Sequence, residues 1–180
     1  EDGFIEMIKM PKPRPTKNNK VHYLTKDMEL DLLVYLEKNE QYKARDIIKC
    51  LIDLGCRVNE LLNLEKRFVD FDNNQINFND RKNDQAVAVP MTQKVSWLLK
   101  PFYDNCKDTD KLFDINYSEL NAIWQKARKD LGYADKKFYT IHLCRHTCAS
   151  RLVQRGVPIL LVKDWLGHED IENTMIYAHL

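Results

Sequence analysis

Between Thr25 and Asn39 the apolar residues Met28, Leu32, Leu33 and Leu36 recur at helical spacing, and Thr25 is a residue type that caps a first turn. That pattern predicts a helix. A second is predicted over residues 42–54, with Ile47, Ile48, Leu51 and Leu54 inward and Gly55 as its C-terminal stop. A short third runs from about Asn59 through Leu62. The period then changes to two. Phe68-Val-Asp-Phe71, Gln75-Ile-Asn-Phe78 and Ala86-Val-Ala-Val89 read as three short strands, joined by Asp72-Asn73-Asn74 and by a turn from Asp80 to Asp84. Pro90 closes the last. Helical spacing resumes at Thr92 and again at Ser118, the latter stopping at Gly132. Thr140 is expected to cap a helix that ends at Gly156. Pro158 sits in the first turn of another, which Gly167 stops, and Asp170 can cap a last short helix through Tyr177. The predicted class is α+β, mainly α: a helical domain with a small three-stranded antiparallel sheet.

Residues 1–22 lack this patterning. Pro11, Pro13 and Pro15 stand among Lys9, Lys12, Arg14, Lys17 and Lys20, with no acid between Met7 and Thr25. We expect a basic, extended linker there, and a folded domain over 23–180. A second cationic cluster is Lys126, Arg128, Lys129, Lys136 and Lys137. The net charge is only +1, so bulk charge does not announce a nucleic-acid partner. Such clusters are either solvated faces or local phosphate contacts. The five cysteines include no CxxC pair, and Cys50, Cys144 and Cys148 lie in apolar helical stretches. They read as reduced thiols packed as small hydrophobes, the usage expected of a cytoplasmic protein. No apolar run is long enough to cross a membrane. The chain starts Glu1-Asp-Gly-Phe and ends three residues after Tyr177, which suggests a piece of a longer protein.

The chemistry concentrates in the last forty residues. His142, Arg145 and His146 stand at i, i+3 and i+4 and share one helix face. Cys144 and Cys148 lie roughly opposite, so one helix cannot bring both pairs to a single zinc ion. A lone histidine reads as a core or surface residue, and a lone arginine as a salt-bridge partner; the set taken together reads differently. His168 follows the Gly167 stop, where its ring can turn back, and Tyr177 comes nine residues later. With Arg57 upstream and Lys82 between, the chain holds a nucleophile, a proton carrier and donors for an anionic phosphate. No P-loop and no carboxylate cluster suited to paired magnesium ions is present, so neither a metal nor another cofactor is expected.

These residues resemble the tyrosine recombinases, or phage-type integrases. The match is His142-x-x-Arg145-His146-Thr147, then Leu166-Gly-His168, then Thr174-Met-Ile-Tyr177-Ala-His179. Upstream, Gly55-Cys-Arg57-Val-Asn-Glu60-Leu61-Leu62 looks like the family's first arginine motif. Lys82, eight residues before Pro90, looks like its hairpin lysine, although Arg81 is adjacent and the usual turn glycine is absent. The resemblance covers residues 24–180 and implies a catalytic domain acting on double-stranded DNA. It further implies a homotetramer on DNA in the full-length enzyme, with accessory DNA-bending proteins as possible partners and no membrane.

The residue types fit that chemistry. Attack by a phenol oxygen on a phosphodiester spreads negative charge over the nonbridging oxygens. Arg57, Arg145 and His168 would stabilise it. A tyrosine, with an ordinary pKa near 10, needs a base, and His142 is the candidate. Lys82 is the candidate acid for the departing 5′-oxygen. Glu60 is expected to orient an arginine, with His146 in support. Integration or excision of a phage or mobile element leads among the readings. A resolvase, a type IB topoisomerase-like strand transferase and a catalytically silent DNA-binding module stand as alternatives.

Arginine does not give up its proton in proteins, so Lys82 and not Arg81 must be the acid. A substrate with sulfur as its 5′-bridging atom leaves without protonation. It should restore cleavage to Lys82→Ala and not to Arg57→Ala, as measured by single-turnover adduct formation.

Overall fold

The computed structural model describes residues 21–79 and 86–180. Lys82, the Asp80 to Asp84 turn and the cationic stretch through Lys20 lie outside the described residues. The element order is α1 (Lys26–Lys38), α2 (Tyr42–Leu54), α3 (Val58–Leu62), a 3-10 turn, β1 (Val69–Asp70), β2 (Gln75–Asn79), β3 (Ala86–Pro90), α4 (Gln93–Asp104), α5 (Tyr117–Asp130), α6 (Leu143–Gln154), α7 (Ile159–Leu166) and α8 (Glu172–Met175). The sheet is antiparallel in the order β1-β2-β3, with Ile76 opposite both Val69 and Val89.

Local chemistry sets most boundaries. The hydroxyls of Thr25 and Thr92 accept from the backbone N–H of Met28 and Val95, starting α1 and α4. α5 starts two residues before the predicted Ser118. Asn116 and Glu119 form a reciprocal capping box there. α6 starts later than Thr140 predicts. The Thr140 carbonyl, not its side chain, meets the Leu143 N–H, and His142 takes the N-cap position. Asp170 does not cap α8 either, since Ile171 is its N-cap. Two residues assigned to the linker are docked: Val21 packs against the C-terminal cluster, and His22 stacks on Phe138 at 4.0 Å.

α6 is the central element. Leu143, Cys144, Thr147, Cys148, Ala149 and Ser150 are all buried on it, so it is enclosed on most sides. It packs against α2 on one side and α7 on the other. The Thr147 hydroxyl bridges outward, donating to Leu143 O and accepting from Leu24 N–H. Trp124 and Tyr139 fill the α5 side of the core. Trp97 is 71% exposed, because Val95 and Leu99 carry the inward stripe of α4 and Trp97 lies between them.

The approach of α2 to α6 depends on Gly55. Its φ is +66°, and a β-carbon there would stand 2.8 Å from Cys148 Sγ and 3.0 Å from Leu166 Cδ2. Gly55→Ala therefore incurs both left-handed backbone strain and overpacking. Together these should cost about 2–4 kcal/mol in denaturant unfolding. Cys148→Ala in the same chain should recover part of the loss, the part due to contact with sulfur.

Candidate active site

Three segments meet at Arg145. The residue sits one turn into α6 and is 4% exposed. Its Nη1 donates to the Gly55 carbonyl and its Nη2 to the Leu166 carbonyl, each at 2.7 Å. Gly55 follows the end of α2, and Leu166 is the last residue of α7. Carbonyls at helix C-termini carry partial negative charge and lack intrahelical partners, so a guanidinium suits both. Arg145 is thus a strut between two helix ends. Its remaining N–H donors are not committed to these carbonyls.

Arg57 lies two residues beyond Gly55, as the N-cap of α3, and its side chain is half exposed. The Glu60 carboxylate accepts from the Arg57 backbone N–H and from its Nη1, both at 2.7 Å. Arg57 therefore precedes the helix that carries Glu60 rather than sharing it. At this exposure the pair is worth under about 1 kcal/mol to stability, so its effect is to orient the guanidinium.

His142 and His146 stand one turn apart with their rings edge to face, centroids 4.9 Å apart. Tyr177 is 2% exposed and packs with Ala149, Val162 and Leu166. Its hydroxyl lies 2.6 Å from His146 Nδ1. His168, after the left-handed Gly167, bonds through Nδ1 to the Thr174 hydroxyl at 2.8 Å. Thr174 is buried on α8, so this bond ties the helix that precedes Tyr177 to the end of α7.

The site is electrostatically one unit. Burial, then the charges of Arg145 and Arg57, hold the His142 imidazole below its ordinary range. Burial pushes His146 down to about 4, helped by His142, Arg145 and His22. His168 is pushed down to about 4 by burial and then by both arginines. Burial raises the Tyr177 phenol to about 12, with Arg145 pulling the other way. The resting site thus contains neutral imidazoles and a protonated phenol beside two guanidinium groups.

The structure brings Arg57, Arg145, His142, His146, His168 and Tyr177 into one region, while Lys82 falls outside the described residues. It corrects two expectations. The sequence suggests a loosely held Tyr177, set apart from the arginines; instead its ring anchors a small apolar cluster. The imidazole on the phenol belongs to His146, with His142 one ring behind. Trp165 donates through Nε1 to the Leu54 carbonyl at 2.9 Å and belongs to the helix packing. Thr174 was given no role of its own in the sequence, where it stands only as the first residue of the motif that carries Tyr177.

Comparison with known proteins decides the family. The model described as "Phage integrase family" matches residues 22–180. The chain belongs to the phage integrase family. Relatives within it include the tyrosine recombinase XerA of Saccharolobus solfataricus, 33% identical over 152 residues, covering 84% of this chain and 51% of the relative. A probable integrase/recombinase of Methanocaldococcus jannaschii is 31% identical over 176 residues, covering 88% and 53%. This integrase-family chain spans about half the length of these curated relatives. Among solved structures, the XerA recombinase crystal structure aligns with a TM-score of 0.73 at 28% identity, covering 88% of this chain and 60% of that one. The catalytic domain of bacteriophage HP1 integrase aligns at 0.67 and 26%, covering 89% and 88%.

Two outcomes follow from the geometry. Arg145→Ala strands two buried carbonyls, so it should cost at least about 2 kcal/mol of unfolding free energy, beyond any effect on rate. The depressed imidazoles set a pH dependence. An unfolded histidine takes up its proton near about pH 6.5, whereas His146 and His168 in the fold resist until about 4. Their contribution to stability is therefore full above that unfolded value and is lost as pH falls toward the folded one. Urea midpoints should decline across that window, and His168→Gln should make the decline shallower.

Proposed function

We propose that this chain is the catalytic part of a site-specific DNA recombinase that cleaves and rejoins duplex DNA through a covalent 3′-phosphotyrosine, without metal or ATP. The observation that carries this reading is a buried tyrosine hydroxyl held within a cluster of neutral histidines and two guanidinium groups. Tyr177 is the nucleophile. Arg57 and Arg145, with His168 and His142, bind the phosphate and stabilise the charge that develops on its oxygens. Glu60 sets the direction of Arg57, and Lys82 protonates the leaving 5′-oxygen. The phosphotyrosine conserves the energy of the broken bond, so rejoining to another 5′-hydroxyl needs no external energy.

The names of the relatives, tyrosine recombinase and integrase/recombinase, support a recombinase over a topoisomerase. Double-stranded DNA is the substrate. Strand exchange between two duplexes requires a homotetramer of the full-length protein, with DNA-bending partners as accessories. Integration and excision of a phage or mobile element is the biological setting proposed.

Covalent trapping tests the reading. The protein is incubated with a randomised duplex library whose phosphodiesters at candidate positions carry a 5′-bridging sulfur, and adducts are isolated under denaturing conditions. The expected result is a 3′-linked adduct on Tyr177 and a recoverable target sequence. Tyr177→Phe should fold and bind DNA but form no adduct. Arg57→Ala should slow adduct formation by about 100- to 1,000-fold, the scale of one lost oxyanion donor. An adduct on Tyr139 or Tyr133 would overturn the assignment.

A further inference from the structure

Among the described residues, His146 is the hydrogen-bond partner of the Tyr177 hydroxyl, and the 2.6 Å separation is short for such a pair. The phenol is raised to about 12 and the imidazole lowered to about 4, so the O–H donates and Nδ1 accepts. The neutral ring then carries its proton on Nε2. His142, expected to be the base, meets the edge of His146 rather than the phenol.

We infer that His146 takes the Tyr177 proton during attack on DNA, and that an incoming phosphate at Arg57 and Arg145 is what enables it to do so. This rests on the reading of Tyr177 as the nucleophile. The charged and titratable groups that bear on the pair are Arg145 and His142 from α6, His22 from the segment before α1, and Cys148 beside the phenol. Arg57 acts on neighbouring His142 and His168. The cations, together with burial, disfavour a further positive charge on His146. A phosphodiester anion set against the two guanidinium groups offsets that repulsion and raises the basicity of the ring. The same anion disfavours a free phenolate beside it. The proton must therefore leave as the oxygen attacks, which calls for an acceptor already in contact.

The step balances. The Tyr177 O–H bond breaks and its proton passes to His146 Nδ1. The oxygen forms a bond to phosphorus, the bond from phosphorus to the 5′-oxygen breaks with its electron pair, and the 5′-oxygen takes a proton from the general acid. On rejoining, His146 returns its proton to the departing phenol oxygen, and the attacking 5′-hydroxyl gives its proton back to the acid. The protein therefore resets without net uptake or release of protons.

A cavity of about 320 Å³ borders His146, lined in part by Val21, His22, Leu143 and Ile176. It surrounds the ring with mostly apolar side chains and is large enough to admit free imidazole. This gives the inference a test that a purely structural role would not pass. Single-turnover adduct formation is measured on the trapped target duplex, with sulfur as the 5′-bridging atom so that leaving-group protonation does not limit the rate. The wild-type rate should level off once the imidazole is neutral. His146→Gln keeps an acceptor for the hydroxyl but takes no proton. It should bind DNA normally, react at least about 100-fold more slowly, and gain about tenfold per pH unit as the phenol ionises unaided. His146→Ala should regain rate in proportion to added imidazole. A His146→Gln rate within a few-fold of wild type overturns the inference. So does a slow variant with an unchanged pH profile and no response of His146→Ala to imidazole, or the same signature appearing in His142→Gln instead. If Tyr177→Phe still forms adducts, the underlying reading fails. If it is silent while His146→Gln is fast, only the present inference fails.

Discussion

The two bonds from Arg145 to the carbonyls of Gly55 and Leu166 hold the rest of the site in register. They join residues far apart in the chain at the points where α2 and α7 end and where the segments bearing Arg57 and His168 begin. A charged group so deeply buried is tolerable only because its donors meet the negative ends of two helices. Arg145, proposed to bind the phosphate, is therefore also the residue that sets where the other donors stand. Glycine at position 55 is the geometric condition for it. A side chain there would collide with Cys148 and Leu166 and push α2 away from α6.

The electrostatic state of the site follows from the same crowding. Burial, and after it the nearby guanidinium groups, hold the imidazoles of His142, His146 and His168 below their ordinary range, and burial keeps the phenol protonated. Among the described residues, the carboxylate paired with these guanidinium groups is that of Glu60, which is engaged with Arg57. Such a site is poised for an anion. Its buried imidazoles are neutral and its phenol protonated, the states from which the proposed proton transfer starts.

Much of this was legible in the sequence because it is local. The i, i+3, i+4 spacing placed His142, Arg145 and His146 together, and Thr25, Thr92, Gly55 and Gly167 marked real helix boundaries through their side-chain and backbone chemistry. The sheet was readable from its period of two. Contacts with backbone carbonyls were not readable, since a carbonyl leaves no mark on residue identity; hence the strut function of Arg145 was invisible. The firm seating of Tyr177 was missed for a related reason. Ile171, Met175 and Ile176 gave little promise of an anchor, and the anchor is the tyrosine ring itself.

Val21 touches the same small apolar cluster as Tyr177, and Leu24 is tied by its N–H to Thr147, one residue beyond His146. The extended segment before α1 and the turn after α8 thus share one anchorage on α6 and α7. The floor on which the phenol rests is built in part by a residue that lies more than 150 positions earlier in the chain.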